Sequence, residues 1–162
     1  MVHLAGLRGD VTDAEGLLKS ARESCGPNGS VQLLRASMVF GRVHLESAAE
    51  HAARSFEQGR NSSNSLATEA LLYASGSTQI SKAIEKMGIG EGDSEMALIA
   101  FGEFDLKRFV GLAKLTRDDD VLEGDLGMLP LFGITEKEMA SVSESKVFDL
   151  VLEKVAMVDI LK

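Results

Sequence analysis

Three short apolar segments, separated by long stretches of helical periodicity, are the feature that most constrains the fold of this chain. Residues 2–7, 31–34 and 96–101 have the length and aliphatic content of strands rather than of helices. Because these segments are few and widely separated, they favour a small sheet over a sandwich or a barrel. We therefore expect a single α+β domain over residues 1–162, with a small antiparallel sheet, roughly three or four strands, covered on one face by several helices.

The intervening segments carry apolar spacing and boundary signals that are typical of helices. The clearest amphipathic pattern, with apolar residues at i, i+3, i+4 and i+7, begins at Ile80 and stops before Gly88. Thr135 and Glu138 fit a capping box at the start of another helix. Together these signals predict helices over residues 13–24, 43–58, 65–73, 80–87, 105–115, 135–141 and 145–161.

The composition is that of a globular protein that needs no disulfide. Apolar residues make up 44% of the chain and charged residues 26%, which is too apolar for a disordered protein. The single cysteine, Cys25, cannot form an internal disulfide, and this favours a reducing, cytoplasmic setting. We expect no signal peptide and no membrane partner, because no apolar run reaches the roughly 18 residues that a spanning helix requires.

The formal net charge of −8 is concentrated in the second half of the chain. Residues 1–81 carry 7 basic and 8 acidic side chains, whereas residues 82–162 carry 10 and 17. A chain with this balance is not expected to grip nucleic acid over its whole surface, and we expect no DNA partner. A local site for an anion should lie in the first half or at the boundary. The densest acidic run, residues 117–125, is expected to be a solvated loop, since it lacks the spacing of a calcium-binding loop.

The sequence contains no recognisable catalytic apparatus. Neither of the glycine-rich phosphate loops, GxxxxGK[ST] or GxGxxG, is present. Cys25 lies in a predicted turn with no histidine nearby in sequence. His44 and His51 lie seven residues apart, whereas metal-binding pairs on a helix are usually three or four apart. We therefore expect no catalytic nucleophile, no metal and no cofactor.

Glu69 is the most unusual polar residue, because it falls in a predicted helix that is apolar nearly all round. A carboxylate in such a helix is costly unless it is paired or hydrogen-bonded. One interpretation is that Glu69 bonds a nearby backbone or a lysine and so fixes a loop. The alternative is a small enzyme that acts on a nucleotide-like ligand, with Glu69 as its base beside Tyr73.

Polar and cationic residues collect in the loop before this helix and on the polar side of the next one. Such groups suit the phosphates and bases of RNA; the alternative is an ordinary solvated surface. Since the whole chain is acidic, we expect weak RNA binding unless a basic partner contributes. The candidate RNA-binding residues are Arg60, Asn61, Asn64, Gln79, Lys82 and Lys86.

The last predicted helix is more apolar than docking on one sheet would require. Its valines cover one face, while leucines and a methionine cover others, and its charged residues exclude a membrane span. Either the helix lies centrally in the core, or part of its surface forms a protein interface. The candidate partner-binding residues are Phe148, Val151, Leu152, Val155, Val158 and Ile160.

The segment from Arg60 to Ile89 carries a family resemblance. Its most specific part has the form Glu-x-Leu-Leu-Tyr-x-Ser-Gly-x-x-Gln-Ile-x-x-Ala-Ile and begins at Glu69. This pattern resembles the small kinase-binding subunit of the KEOPS complex, the family of the human PRPK-binding protein. Chain length and element order agree with that family over essentially the whole chain.

The resemblance implies a non-catalytic regulatory or recruiting subunit. Members of that family bind the atypical kinase/ATPase of KEOPS through their C-terminal helical region and so support threonylcarbamoyl-adenosine formation on tRNA. Archaeal members also recognise the tRNA 3′-CCA end. Many members have arginine where this chain has Thr78, and the loss of a guanidinium removes a bidentate contact to phosphate or base. An adaptor in another assembly, without RNA contact, is the alternative.

Overall fold

A four-stranded antiparallel sheet organises the fold. The computed structural model describes residues 1–162. The strands are β1 (Val2–Arg8), β2 (Ser30–Arg35), β3 (Glu95–Phe101) and β4 (Thr116–Arg117), in the order β2-β3-β1-β4. The predicted α+β class and antiparallel sheet are confirmed. Only β4 has no counterpart in the sequence prediction, because its two exposed residues show no apolar pattern.

Both faces of the sheet are buried. Ala97 and Ile99 of β3 belong to a cluster of 31 buried residues, whereas Met96 and Leu98 belong to a second cluster of 11 on the other face. The prediction of a sheet covered on one face is therefore wrong. The uninterrupted apolar run of β3 is the signal for this arrangement, since a half-exposed strand would alternate with polar residues.

Helices cover the two faces in unequal numbers. Residues of α2, α3, α4 and α8 contribute to the larger cluster, and residues of α1 and α5 to the smaller one. None of the helices combines the length and the apolar character that a membrane crossing requires. The helices are α1 (Ala14–Glu23), α2 (Arg42–Glu57), α3 (Leu66–Ser75), α4 (Ile80–Met87), α5 (Leu106–Ala113), α6 (Leu129–Phe132), α7 (Glu136–Ala140) and α8 (Asp149–Leu161).

Helix boundaries follow local chemistry. Thr135 and Glu138 form the predicted capping box at the start of α7. α3 ends at Gly76, whose φ of 70° lies in the left-handed region that glycine adopts without strain. α8 begins at Asp149 rather than at residue 145, because Glu144–Lys146 form a separate 3-10 turn.

The acidic segment that follows β4 is anchored to the sheet. Asp119 accepts a hydrogen bond from the backbone N–H of Gly6 at 2.9 Å, and Asp118 lies 2.6 Å from Nε of Arg8. A Cβ at Gly6 would lie 2.3 Å from the carbonyl oxygen of Asp118, so the close approach requires glycine. The carboxylates still reach water, as expected for a solvated loop, but the backbone packs against β1.

Candidate partner-binding surfaces

Glu69 is fully buried in α3 and is surrounded by donors from the chain itself. Its carboxylate accepts hydrogen bonds from the backbone N–H groups of Ser62 and Ser63, both at 3.0 Å, and from the hydroxyl of Ser55 at 2.9 Å. The Lys162 ammonium lies 2.6 Å from Oε2 of Glu69, and the Lys162 side chain is 7% exposed. Burial alone would raise the pKa of Glu69, but the hydrogen bonds from Lys162, Ser55 and Ser62 outweigh it and lower the pKa.

These contacts decide between the two interpretations of Glu69. The residue has no exposed surface, and each carboxylate oxygen already accepts hydrogen bonds from within the chain. A general base needs access to a substrate proton. The arrangement is that of a carboxylate that fixes a loop and pairs with a lysine, as the first interpretation predicts.

Asp159 forms a second polar contact between α8 and the core. Its carboxylate accepts a hydrogen bond from the Tyr73 hydroxyl and lies 2.7 Å from Nδ1 of His51. The rings of His51 and Tyr73 stack with their centroids 5.2 Å apart. Burial raises the pKa of Asp159, but the contacts with Tyr73 and His51 outweigh it, so the pKa is lowered and the carboxylate stays charged.

The other histidine of α2 serves a different contact. His44 is buried, and its Nδ1 accepts a hydrogen bond from the backbone N–H of Phe40 at 3.1 Å while Nε2 lies 2.8 Å from the carbonyl oxygen of Ala74. Burial lowers the pKa of His44 to about 4, which keeps the ring neutral at physiological pH. The ring therefore joins the start of α2 to the end of α3.

α8 turns its valines into the core. Val151, Val155 and Val158 have no exposed surface and belong to the larger buried cluster. Their prediction as partner-binding residues is therefore wrong, because this i, i+4, i+7 stripe packs against α2 and α3. Phe148 and Leu152 of the predicted set are half-buried.

The opposite side of α8 exposes a different apolar set. Ile160 is 75% exposed, Leu161 63% and Met157 42%, and we call these three residues the exposed α8 face. Only Ile160 is in the predicted set. Glu153 is the signal for the others, since a charged residue marks the solvent side of a helix, and Met157 and Ile160 follow it at i+4 and i+7.

The predicted RNA-binding residues fall into two groups. Asn64, Gln79 and Lys82 are exposed. Arg60 and Asn61 are also exposed, but their side chains donate hydrogen bonds to backbone carbonyls of the chain at 3.0 and 2.9 Å. These five residues lie in the loop before α3 or on the approach to α4 and its first turn.

Lys86 is half-buried, and its ammonium contacts groups of the chain rather than an exposed cationic patch. Its ammonium donates a hydrogen bond to the carbonyl oxygen of Ser75 at 2.9 Å and lies 3.9 Å from the centre of the Phe132 ring. Burial, helped by the positive charge of Lys154, lowers the pKa of Lys86. The prediction for Lys86 therefore needs correction: in this conformation its charge is used within the chain.

Comparison with known families matches nearly the whole chain to one family. The model of the family described as "Kinase binding protein CGI-121" matches residues 9–159. The chain belongs to this CGI-121 family. No curated protein matches the chain significantly.

Membership of the CGI-121 family confirms the kinase-binding part of the resemblance. The match spans α3, the loop that precedes it, and α8 as far as Asp159. The family description names a kinase as the partner and makes no statement about RNA. The family description therefore supports a kinase as the protein partner, without saying which surface of the chain contacts it.

Proposed function

We propose that this chain is a non-catalytic subunit of a KEOPS-type assembly in the cytoplasm. It recruits the atypical kinase/ATPase and the 3′-CCA end of tRNA, and so supports threonylcarbamoyl-adenosine formation. The observation that carries the kinase contact is the exposed α8 face: three neighbouring apolar side chains on a helix whose other side is locked into the core. Apolar side chains of this kind are favoured at the centre of protein interfaces.

The kinase contact is tested by placing a charge on the exposed α8 face. Ile160→Arg should weaken binding of the cognate kinase at least about tenfold, because a buried arginine without a partner is costly at an interface. Leu112→Arg is the matched control, since it makes the same kind of change at an exposed position on α5, which packs on the opposite face of the sheet. Isothermal titration of each folded variant with the kinase measures the effect. Equal affinities for the two variants would contradict the proposal.

The support for RNA contact is the exposed group of Arg60, Asn61, Asn64, Gln79 and Lys82. Arg60 and Lys82 offer positive charge to phosphates, and the amides offer donors and acceptors to base edges. The net charge of −8 limits what this group achieves alone. We therefore expect the complex with the kinase to bind tRNA more tightly than the isolated chain does.

The RNA contact is tested with tRNA that carries or lacks the CCA end. Lys82→Glu should weaken binding of intact tRNA several-fold and reduce the salt dependence. Lys137→Glu, an exposed lysine on α7, is the control for the change in net charge. Fluorescence anisotropy with the kinase complex gives both affinities. If the two tRNAs bind equally well to the parent chain, the proposed recognition of the CCA end fails.

A further inference from the structure

The Glu69 carboxylate is shared by two surfaces that are distant in sequence. Its Oε1 accepts the backbone N–H groups of Ser62 and Ser63, which belong to residues 60–65, here called the 60–65 loop. Its Oε2 accepts a hydrogen bond from the ammonium of Lys162, the residue that follows the last turn of α8. One buried charge therefore holds the 60–65 loop and the end of α8 at the same time.

A second contact joins the same two segments directly. The Arg60 guanidinium donates a hydrogen bond to the carbonyl oxygen of Asp159 at 3.0 Å. The Asp159 side chain is in turn held by Tyr73 and His51 in the core. Movement of the last turn of α8 would therefore disturb both ties of the loop.

The energetics favour coupled movement over independent movement. Without the Lys162 ammonium, Glu69 would be a buried carboxylate with no cation within reach, and water would be drawn to it. Water that solvates the carboxylate competes directly with the N–H groups of Ser62 and Ser63. In the same way, loss of the donors from the loop weakens the site that holds Lys162.

We propose that the last turn of α8 and the 60–65 loop form one cooperative unit, so that a protein bound on the exposed α8 face also orders the loop. Linkage requires the reverse effect, in which a ligand on the loop strengthens binding at α8. The suggestion that kinase binding at α8 orders the 60–65 loop for contact with RNA rests on the proposed function. The coupling within the free chain does not.

Amide hydrogen exchange followed by NMR tests the coupling in the full chain without any partner. Lys162→Met should speed exchange of the Ser62 and Ser63 N–H groups about tenfold, a change of about 1.4 kcal/mol. Lys154→Met is the matched control, because it also removes one positive charge, but from a lysine within α8 that pairs with Glu138 rather than with Glu69. Lys162→Arg, which keeps a cation at this position, should restore most of the protection.

The results separate failure of the coupling from failure of the proposed function. If Lys162→Met loosens the last turn of α8 but leaves the Ser62 and Ser63 N–H groups unchanged, the coupling is overturned. Should that variant not fold, Ser63→Ala probes the unit from the loop side, because it removes the hydroxyl that donates a hydrogen bond to Oε1 of Glu69 at 3.1 Å. Unchanged exchange of the backbone N–H of Lys162, which donates to the carbonyl oxygen of Val158, would then overturn the coupling equally. Added kinase should slow exchange of the Ser62 and Ser63 N–H groups. Binding without that slowing contradicts the coupling, whereas absence of binding contradicts the proposed function alone.

Discussion

Two groups of charged side chains in this chain have the same chemistry and opposite surroundings. Glu69 and Lys162 form an ion pair at 2.6 Å whose members are 0% and 7% exposed. Asp118 and Arg8 form a pair of the same length near the acidic segment, but both side chains reach water. The length of the contact is therefore not what distinguishes them.

The difference lies in what each pair replaces. At the surface, an ion pair replaces contacts of each charge with water by contacts between the two charges, so its net contribution to the free energy of unfolding is small. In the core, each charge has lost its hydration, so removing one partner leaves the other as an unpaired buried charge, which is strongly destabilising. The buried pair therefore holds the end of α8 against α3 and the 60–65 loop. The exposed pair adds little to an arrangement of β1 and the acidic segment that Gly6 and the backbone already fix.

The largest effect is expected from breaking the buried pair. Glu69→Gln keeps the shape of the side chain but removes the charge that faces Lys162 and the N–H groups of Ser62 and Ser63. We expect a loss of about 4 kcal/mol in the free energy of unfolding, in the middle of the range that breaking a buried pair costs. Urea titration followed by circular dichroism measures it. A loss no greater than that of an exposed pair would show that burial is not the deciding variable.

The second effect concerns a buried group that must stay neutral. Because the pKa of His44 falls from 6.5 to about 4 on folding, the unfolded chain binds a proton first as the pH is lowered. The neutral His44 ring makes its full contribution to the free energy of unfolding above pH 6.5. This contribution, about 3 kcal/mol in total, is lost as the pH falls toward 4. Urea titrations between pH 7 and pH 4 measure the slope of the free energy of unfolding against pH.

His44→Gln is the control for that slope, because it removes the titrating ring. The variant should lose most of the pH dependence in this window. Glu69 and Asp159 also contribute to acid destabilisation, because their pKa values are lower in the folded chain than in the unfolded chain. Their contribution begins only as the pH falls below their ordinary pKa values of 4.5 and 3.8. A slope that is unchanged in His44→Gln would assign the titration to another group.

The sequence predicts the scaffold well because periodicity is a local signal. The three long strands and the bounds of α2, α3 and α4 follow from spacing, caps and glycines within a few residues. β4 escapes prediction because two residues carry no period. The uninterrupted apolar run of β3 indicates a sheet covered on both faces, but the length of the run alone predicts only a strand.

The site is less predictable because its contacts are long-range. The sequence predicts that Glu69 needs a partner, since it interrupts an apolar helix, but Lys162 is 93 residues away and no local pattern links them. The valines and leucines of α8 present the opposite difficulty. A helix that is apolar nearly all round does not reveal which stripe is buried, so Val151 and Val155 were indistinguishable from Ile160 by hydrophobicity alone.

The smallest effect is expected from breaking the exposed pair of Asp118 and Arg8. Asp118→Asn removes the charge that faces Arg8 but keeps an oxygen that accepts from the backbone N–H of Asp120. We expect a change in the free energy of unfolding within the error of urea titration, because water takes over the solvation of Arg8. Added salt should erase any residual difference, whereas it should leave the loss in Glu69→Gln nearly intact, since ions in solution do not screen a pair from which water is excluded. If Asp118→Asn destabilises the chain as strongly as Glu69→Gln, the contact geometry rather than desolvation sets the contribution of both pairs.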